Sequence, residues 1–140
     1  MIINIYGSTG EIGKKSLLLI KKKYPNIKIN LLCANENYIL LLKQINIFKP
    51  NFVYMHNEES ARKLKIKLKK STIVLSFRDL IQYLNNSKSD LSILSISGYK
   101  SLYFLEHIIN NTSNLGIANK ESIVSAGHIF KKNNYFQKTN

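Results

Sequence analysis

An α/β fold, with a Rossmann-like doubly wound parallel sheet in a single domain, is what this sequence of 140 residues predicts. Three observations carry that expectation. Apolar, β-rich runs alternate with stretches of helical periodicity along the whole chain, the order that builds a parallel sheet with helices on both faces. The first run ends in Gly7-Ser8-Thr9-Gly10-Glu11-Ile12-Gly13, a glycine turn that opens a helix. The chain is also 44% apolar, and at this length it is large enough to bury one core.

Taken in order, Ile2–Tyr6 is apolar except for Asn4 and reads as a buried first strand. From Glu11 to Lys23, Ile12, Leu17, Leu19 and Ile20 stand among lysines, an amphipathic helix stopped ahead of Pro25. Ile27–Cys33 is the second strand, Tyr38–Phe48 a helix ended by Pro50, and Phe52–Met55 the third strand. Glu58–Lys70 places Ala61, Leu64 and Leu68 on one helical face, and Lys63, Lys65, Lys67, Lys69 and Lys70 mostly on another. Thr72–Leu75 is the fourth strand and Asp79–Leu84 a short helix. A polar linker from Asn85 to Ser89 leads to the fifth strand, Leu91–Ile96. Tyr99–Asn110 is a helix, Leu115–Ile117 a short strand and Lys120–Lys132 a last helix. A dinucleotide-binding domain is expected over 1–132, with about six or seven strands, and a polar tail over 133–140.

Composition narrows the function classes. The formal net charge of +13 would ordinarily suggest nucleic acid or an anionic surface. Yet Ile, Asn and Lys make up 56 of 140 residues, and 19 lysines stand against two arginines. Phosphate recognition favours the planar fork of Arg, so the surplus reads as compositional bias on solvated faces, and no nucleic-acid partner is expected. No run approaches the roughly 18 consecutive apolar residues of a membrane span. The first residues are too short and polar for a signal peptide, so a cytoplasmic protein with no membrane partner is expected. The lone Cys33 excludes an internal disulfide and a cysteine-cluster zinc site.

The glycine turn has the context of a dinucleotide fingerprint, strand before and helix after. Gly7 permits the tight turn, Gly10 lets the backbone approach a pyrophosphate, and Gly13 lets the helix pack closely on the strand. The phosphates would rest on the positive end of the helix. A strand–helix turn with no ligand is the alternative. Glu11 suits the helix dipole but repels a pyrophosphate unless it points to solvent. At the end of the second strand comes Cys33-Ala34-Asn35-Glu36-Asn37, where a Rossmann fold meets the adenosine ribose. Glu36 there either accepts from a ribose 2′-hydroxyl or is an ordinary acid at a helix start. Leu115-Gly116-Ile117-Ala118-Asn119-Lys120-Glu121-Ser122 sets three polar side chains at the carboxyl end of a strand, as ligand groups or as a helix cap with solvated charges.

Four pieces together resemble the 1-deoxy-D-xylulose 5-phosphate reductoisomerase family: Gly7 to Gly13, Ala34-Asn35-Glu36-Asn37, Ser97-Gly98-Tyr99-Lys100 and Ala118-Asn119-Lys120-Glu121-Ser122. The resemblance covers nearly the whole chain, but only that family's N-terminal cofactor domain. It implies NADPH as cofactor, with Gly7, Thr9, Gly10, Glu11 and Ile12 at the pyrophosphate. It places Asn35, Glu36 and Asn37 at the adenosine ribose, Asn119 and Glu121 near the nicotinamide, and Lys120 at the sugar-phosphate substrate. The chain departs from the family at Glu11, commonly Ser, and at Asn35-Glu36, commonly Gly followed by Lys or Arg.

The family's reaction, a skeletal rearrangement of 1-deoxy-D-xylulose 5-phosphate and its reduction to 2-C-methyl-D-erythritol 4-phosphate, uses divalent manganese or magnesium in non-mevalonate isoprenoid synthesis. The resemblance implies carboxylate ligands in an Asp-Ser-Glu-His motif, and this sequence has no Asp or Glu after Glu121. His56, His107 and His128 do not stand with carboxylates at ligand spacing. No catalytic residue and no metal ligand is therefore assigned. The expectation is the cofactor portion of a reductoisomerase, inactive alone, paired with a second chain carrying the catalytic domain; a homodimer is a further expectation. The alternative is a degenerate stand-alone nucleotide-binding module.

Overall fold

The structure, a computed structural model, describes residues 1–69, 71–96 and 102–118. The expected last helix, the 133–140 tail, Asn119, Lys120 and Glu121, and the Ser97–Lys100 motif lie outside the described residues.

Among the described residues eleven elements alternate: β1 (Ile2–Tyr6), α1 (Glu11–Lys23), β2 (Lys28–Ala34), α2 (Tyr38–Phe48), β3 (Phe52–Met55), α3 (Glu58–Lys67), β4 (Ile73–Leu75), α4 (Phe77–Asn86), β5 (Ser89–Leu94), α5 (Leu102–Asn111) and β6 (Thr112–Ile117). The six strands form one sheet in the order β4-β3-β2-β1-β5-β6, and every neighbouring pair is parallel. The chain winds outward from β1 to β4, recrosses through α4, and winds the other way through β5 and β6. The reversal lies between β1 and β5, where an open α/β sheet leaves a crevice at its carboxyl edge.

Alternation along the strands divides the apolar residues between two cores. On one face, Ile3 and Ile5 pack with Leu17 and Ile20 of α1, Leu41 and Ile45 of α2, and Leu64 of α3. On the other, Tyr6, Leu31 and Cys33 pack with Leu80 and Leu84 of α4 and with Leu105 and Ile108 of α5. The sheet is thus covered on both sides. No helix among the described residues is long and apolar enough to cross a membrane.

Most boundaries fall within a residue or two of the sequence reading; α3 ends at Lys67 rather than Lys70, because Leu68 is extended at its C-cap. β5 begins at Ser89 rather than Leu91, and β6 at Thr112 rather than Leu115. Their added residues are polar, and Ser89 and Thr112 are nonetheless buried. Ser89 Oγ donates to Asn111 Oδ1 at 3.0 Å, and Thr112 Oγ1 donates to the Asn114 carbonyl at 2.7 Å. Burial of such groups is tolerable once they are hydrogen-bonded, and those partners are invisible to a pattern of apolar residues. α4 starts at Phe77, two residues early, because the Ser76 side chain accepts from Asp79 N–H and caps it. β5 stops at Leu94, leaving Ser95 and Ile96 to turn across the sheet edge.

Asn4, the exception in the first apolar run, is fully buried. It belongs to a polar chain beneath α4 and α5. Asn51 Nδ2 donates to Asn30 Oδ1 at 2.7 Å, and Asn30 Nδ2 donates to Tyr83 Oη at 2.6 Å. Asn4 Nδ2 donates to Asn111 Oδ1, and Asn111 Nδ2 donates to the Ser87 carbonyl at 2.8 Å. Asn30 is the extra residue of a bulge: Ile3 pairs with Ile29, whereas Asn4 pairs with Leu31.

Candidate cofactor cleft

The glycine turn is held from three sides. Gly7 and Ser8 N–H both donate to the Cys33 carbonyl, at 2.8 and 2.9 Å, which ties the turn to the end of β2. Ser95 Oγ donates to the Tyr6 carbonyl at 2.8 Å and lies 3.2 Å from that of Gly7, tying the turn to the end of β5. From α2, buried Gln44 donates through Nε2 to the Ser8 carbonyl at 2.8 Å. Ser8 Oγ and Gln44 Oε1 are buried without a hydrogen-bond partner among the described residues.

The three glycines differ in what fixes them. Gly7 has φ +89°, and a Cβ there would meet the Ser95 carbonyl carbon at 2.9 Å. A Cβ on Gly13 would lie 2.2 Å from the Gly7 carbonyl oxygen and 2.7 Å from Ser8 Cα. Both are therefore required by the protein's own packing. Gly10 is exposed, and a Cβ there would meet nothing nearer than the Gly7 oxygen at 3.4 Å, an ordinary contact. Its bareness leaves the space in front of it open.

That space is a cleft of about 180 Å³ at the carboxyl edge of the sheet. Gly7, Thr9 and Gly10 form one wall, Ala34 and Asn35 the end of β2, and Ser95 and Ile96 the end of β5. Its floor is Tyr6, Cys33, Tyr54, Leu80 and Phe104. The N-terminus of α1 opens beside it. α2, α3 and α4 are capped by the side chains of Asn37, Asn57 and Ser76, whereas Gly10 gives α1 no side-chain cap. The orphan N–H groups of that first turn and its dipole favour an anion.

The floor is uncharged. Burial pushes the Tyr6 hydroxyl and the Cys33 thiol well above their ordinary values, so Cys33 is an inert thiol. Burial, and secondarily Cys33, pushes Tyr54 up to about 12. Among the described residues, the Tyr6 hydroxyl makes no hydrogen bond of normal geometry, with Ser92 and Asn4 beside it.

Of the residues singled out from the sequence, the fold brings Gly7, Thr9, Gly10 and Asn35 into one cleft wall. Glu11, Ile12, Glu36 and Asn37 stand outside that wall. Glu11 is exposed between Lys14 and Lys15, at 3.8 and 3.4 Å, and these cations offset part of its repulsion of an anion in the cleft. Ile12 is 45% exposed. Glu36 is exposed, and Asn37 Oδ1 is occupied in accepting from Leu40 N–H. The sequence reading missed Gln44, Ser95, Tyr54, His56 and Phe104. Only the polarity of Gln44 within an apolar helical stretch hinted at one of them. Among the described residues, no group of three or more His, Cys, Asp or Glu side chains converges where a metal could sit.

Comparison with known proteins adds a consistent set of relatives. The sequence profile of the 1-deoxy-D-xylulose 5-phosphate reductoisomerase family matches residues 3–127. The reductoisomerase of Pelagibacter ubique is 39% identical over 134 residues, which cover 93% of this chain and 34% of that protein. That of Ruminiclostridium cellulolyticum is 37% identical, covering 95% of this chain and 36% of that protein. A crystal structure of a DOX-P reductoisomerase with NADPH, fosmidomycin and magnesium superposes with a TM-score of 0.84 at 25% identity, over 95% of this chain and 33% of that one. The chain therefore spans about a third of the length of these relatives.

Proposed function

The chain belongs to the 1-deoxy-D-xylulose 5-phosphate reductoisomerase family, and on that premise we propose that it is the NADPH-binding portion of such an enzyme. The observation that carries the reading is Gly10: an exposed glycine that no packing requires, set at the mouth of the cleft beside an uncapped helix. The NADPH complex of the related structure supports the choice of cofactor. Bound there, the dinucleotide supplies the hydride for reduction.

This chain's residues do the holding. The first N–H groups of α1 and the bare backbone at Thr9 and Gly10 receive the pyrophosphate. Asn35, at the end of β2, meets the ribose, with Glu36 and Asn37 on the adjoining loop. The neutral floor of Tyr6, Cys33 and Phe104 excludes water from the apolar part of the ligand. In this reading Asn119 and Glu121 serve the nicotinamide end and Lys120 the sugar phosphate. Metal binding and the conversion of 1-deoxy-D-xylulose 5-phosphate to 2-C-methyl-D-erythritol 4-phosphate then fall to a catalytic portion that the described residues do not supply.

Calorimetric titration of the full chain with NADPH tests the reading. One saturable site per chain is expected, weakened by Gly10→Ala. Absence of heat and of any change in NADPH fluorescence at millimolar cofactor would overturn it.

A further inference from the structure

The loop Asn35-Glu36-Asn37 carries no cation, although a cofactor with a 2′-phosphate demands one. Positive charge reaches the same edge of the sheet from α3. A second hollow, of about 320 Å³, opens at the carboxyl ends of β3 and β4 and is lined by His56, Arg62, Lys65, Ser76 and Phe77 among others. It shares Tyr54 and His56 with the cofactor cleft, so the two open side by side. We propose that this hollow is an anion subsite that receives the 2′-phosphate of an adenine nucleotide, with Arg62 and Lys65 as the residues that select it. The proposal rests on the dinucleotide reading above.

The basic residues of α3 divide by what they already hold. Lys63 is 2.9 Å from Glu59 and 5.9 Å from the centre of the Tyr38 ring, and Lys67 stands 5.6 Å from the same ring. Both are committed to the α2–α3 side. Arg62 and Lys65, three residues apart and so on one face, line the hollow. Among the described residues neither has a carboxylate within 4.0 Å. The lining holds a single acid, Glu58, against these two cations and His56.

Ser76 Oγ accepts from Asp79 N–H, which leaves its hydroxyl proton to donate into the hollow. His56 Nδ1 lies 3.1 Å from Tyr54 Oη and holds the partition between the two spaces. A guanidinium, an ammonium and a hydroxyl donor suit a dianionic phosphate, and a ribose hydroxyl would leave the same groups without an anion. Glu36, exposed on the neighbouring loop, opposes them. The balance between the α3 cations and two carboxylates, Glu58 in the lining and Glu36 on the neighbouring loop, then sets the cofactor preference.

Two probes differing only in the phosphate test this on the full chain: adenosine 2′,5′-bisphosphate and adenosine 5′-monophosphate. The bisphosphate is expected to bind tighter by about tenfold or more, as a charge-assisted phosphate contact would give. In the double variant Arg62→Gln, Lys65→Gln that margin collapses while the affinity for the monophosphate stays unchanged. Both residues are exposed, so the fold survives the change. Equal binding of the two probes by the wild-type chain, or a margin that persists in the double variant, overturns the subsite and leaves the dinucleotide reading standing. Failure of the wild-type chain to bind either probe overturns both.

Discussion

Asn4, at the centre of β1, donates through Nδ2 to Asn111 Oδ1 at 3.2 Å, across 107 positions of sequence. Both residues are fully buried. The bond joins the strand that carries the glycine turn to the junction of α5 and β6. Asn111→Ala would take a partner from Asn4 Nδ2 and from the Ser87 carbonyl, while Ser89 Oγ keeps Ser92 and Ser87 Oγ keeps the Tyr83 carbonyl, and an unsatisfied buried polar group costs about 1–3 kcal/mol. Urea unfolding should show a loss of about 2–4 kcal/mol. The double variant with Asn4→Ala should lose less than the sum of the single losses.

The glycines of the turn should separate folding from binding. Gly13→Ala drives a Cβ to 2.2 Å from backbone that cannot yield, and should cost upwards of about 3 kcal/mol or prevent folding. Gly10→Ala should cost within about 1 kcal/mol, the difference between these residues as a helix N-cap. Yet it should weaken NADPH about tenfold or more by filling the approach to the backbone. Thermal unfolding and calorimetry on the same preparations would show whether the two effects part in this way.

Alkaline pH should destabilise the protein. Cys33 has an ordinary value of 9.0, Tyr6 and Tyr54 of 10.0, and burial raises all three in the folded state. The folded chain then keeps protons that the unfolded chain gives up, so this stability is complete below pH 9 and is lost as pH rises beyond it. Cys33→Ala should move the onset towards pH 10, where Tyr6 and Tyr54 take over. A melting temperature that stays flat from pH 8 to 11 would contradict the assignment of these groups to the core.

Cofactor preference should respond to Glu36. A charge reversal within several ångströms of a 2′-phosphate is worth roughly 1–4 kcal/mol. Glu36→Lys should therefore raise NADPH affinity and leave NADH nearly unchanged, adding to the roughly tenfold margin that the α3 cations give the wild type. A wild type that already favours NADPH a hundredfold, with no response to Glu36→Lys, would mean that this side chain points away from the ribose.

The purified chain should not convert 1-deoxy-D-xylulose 5-phosphate with magnesium or manganese present. The motive is that the chain spans about a third of the length of the reductoisomerases it matches. Turnover followed by NADPH absorbance, in a preparation free of any other reductoisomerase, would refute this.

What the sequence determined by itself was local. Each of the six strands was legible from its apolar run, because alternate residues of a buried strand must face one core or the other. The turn at Gly7, Gly10 and Gly13 was legible because tight turns and close approaches demand the absence of a side chain at fixed spacing. Tertiary structure decided the rest. It extended β5 and β6 over polar residues, since Ser89 and Thr112 become tolerable inside only once Asn111 and the Asn114 carbonyl meet them. It also brought Gln44, Ser95, Tyr54, His56 and Phe104 to the glycine turn from four other elements or their ends. No spacing along the chain encodes those meetings, because parallel strands adjacent in the sheet are joined by long crossovers, and residues at one sheet edge are strangers in sequence.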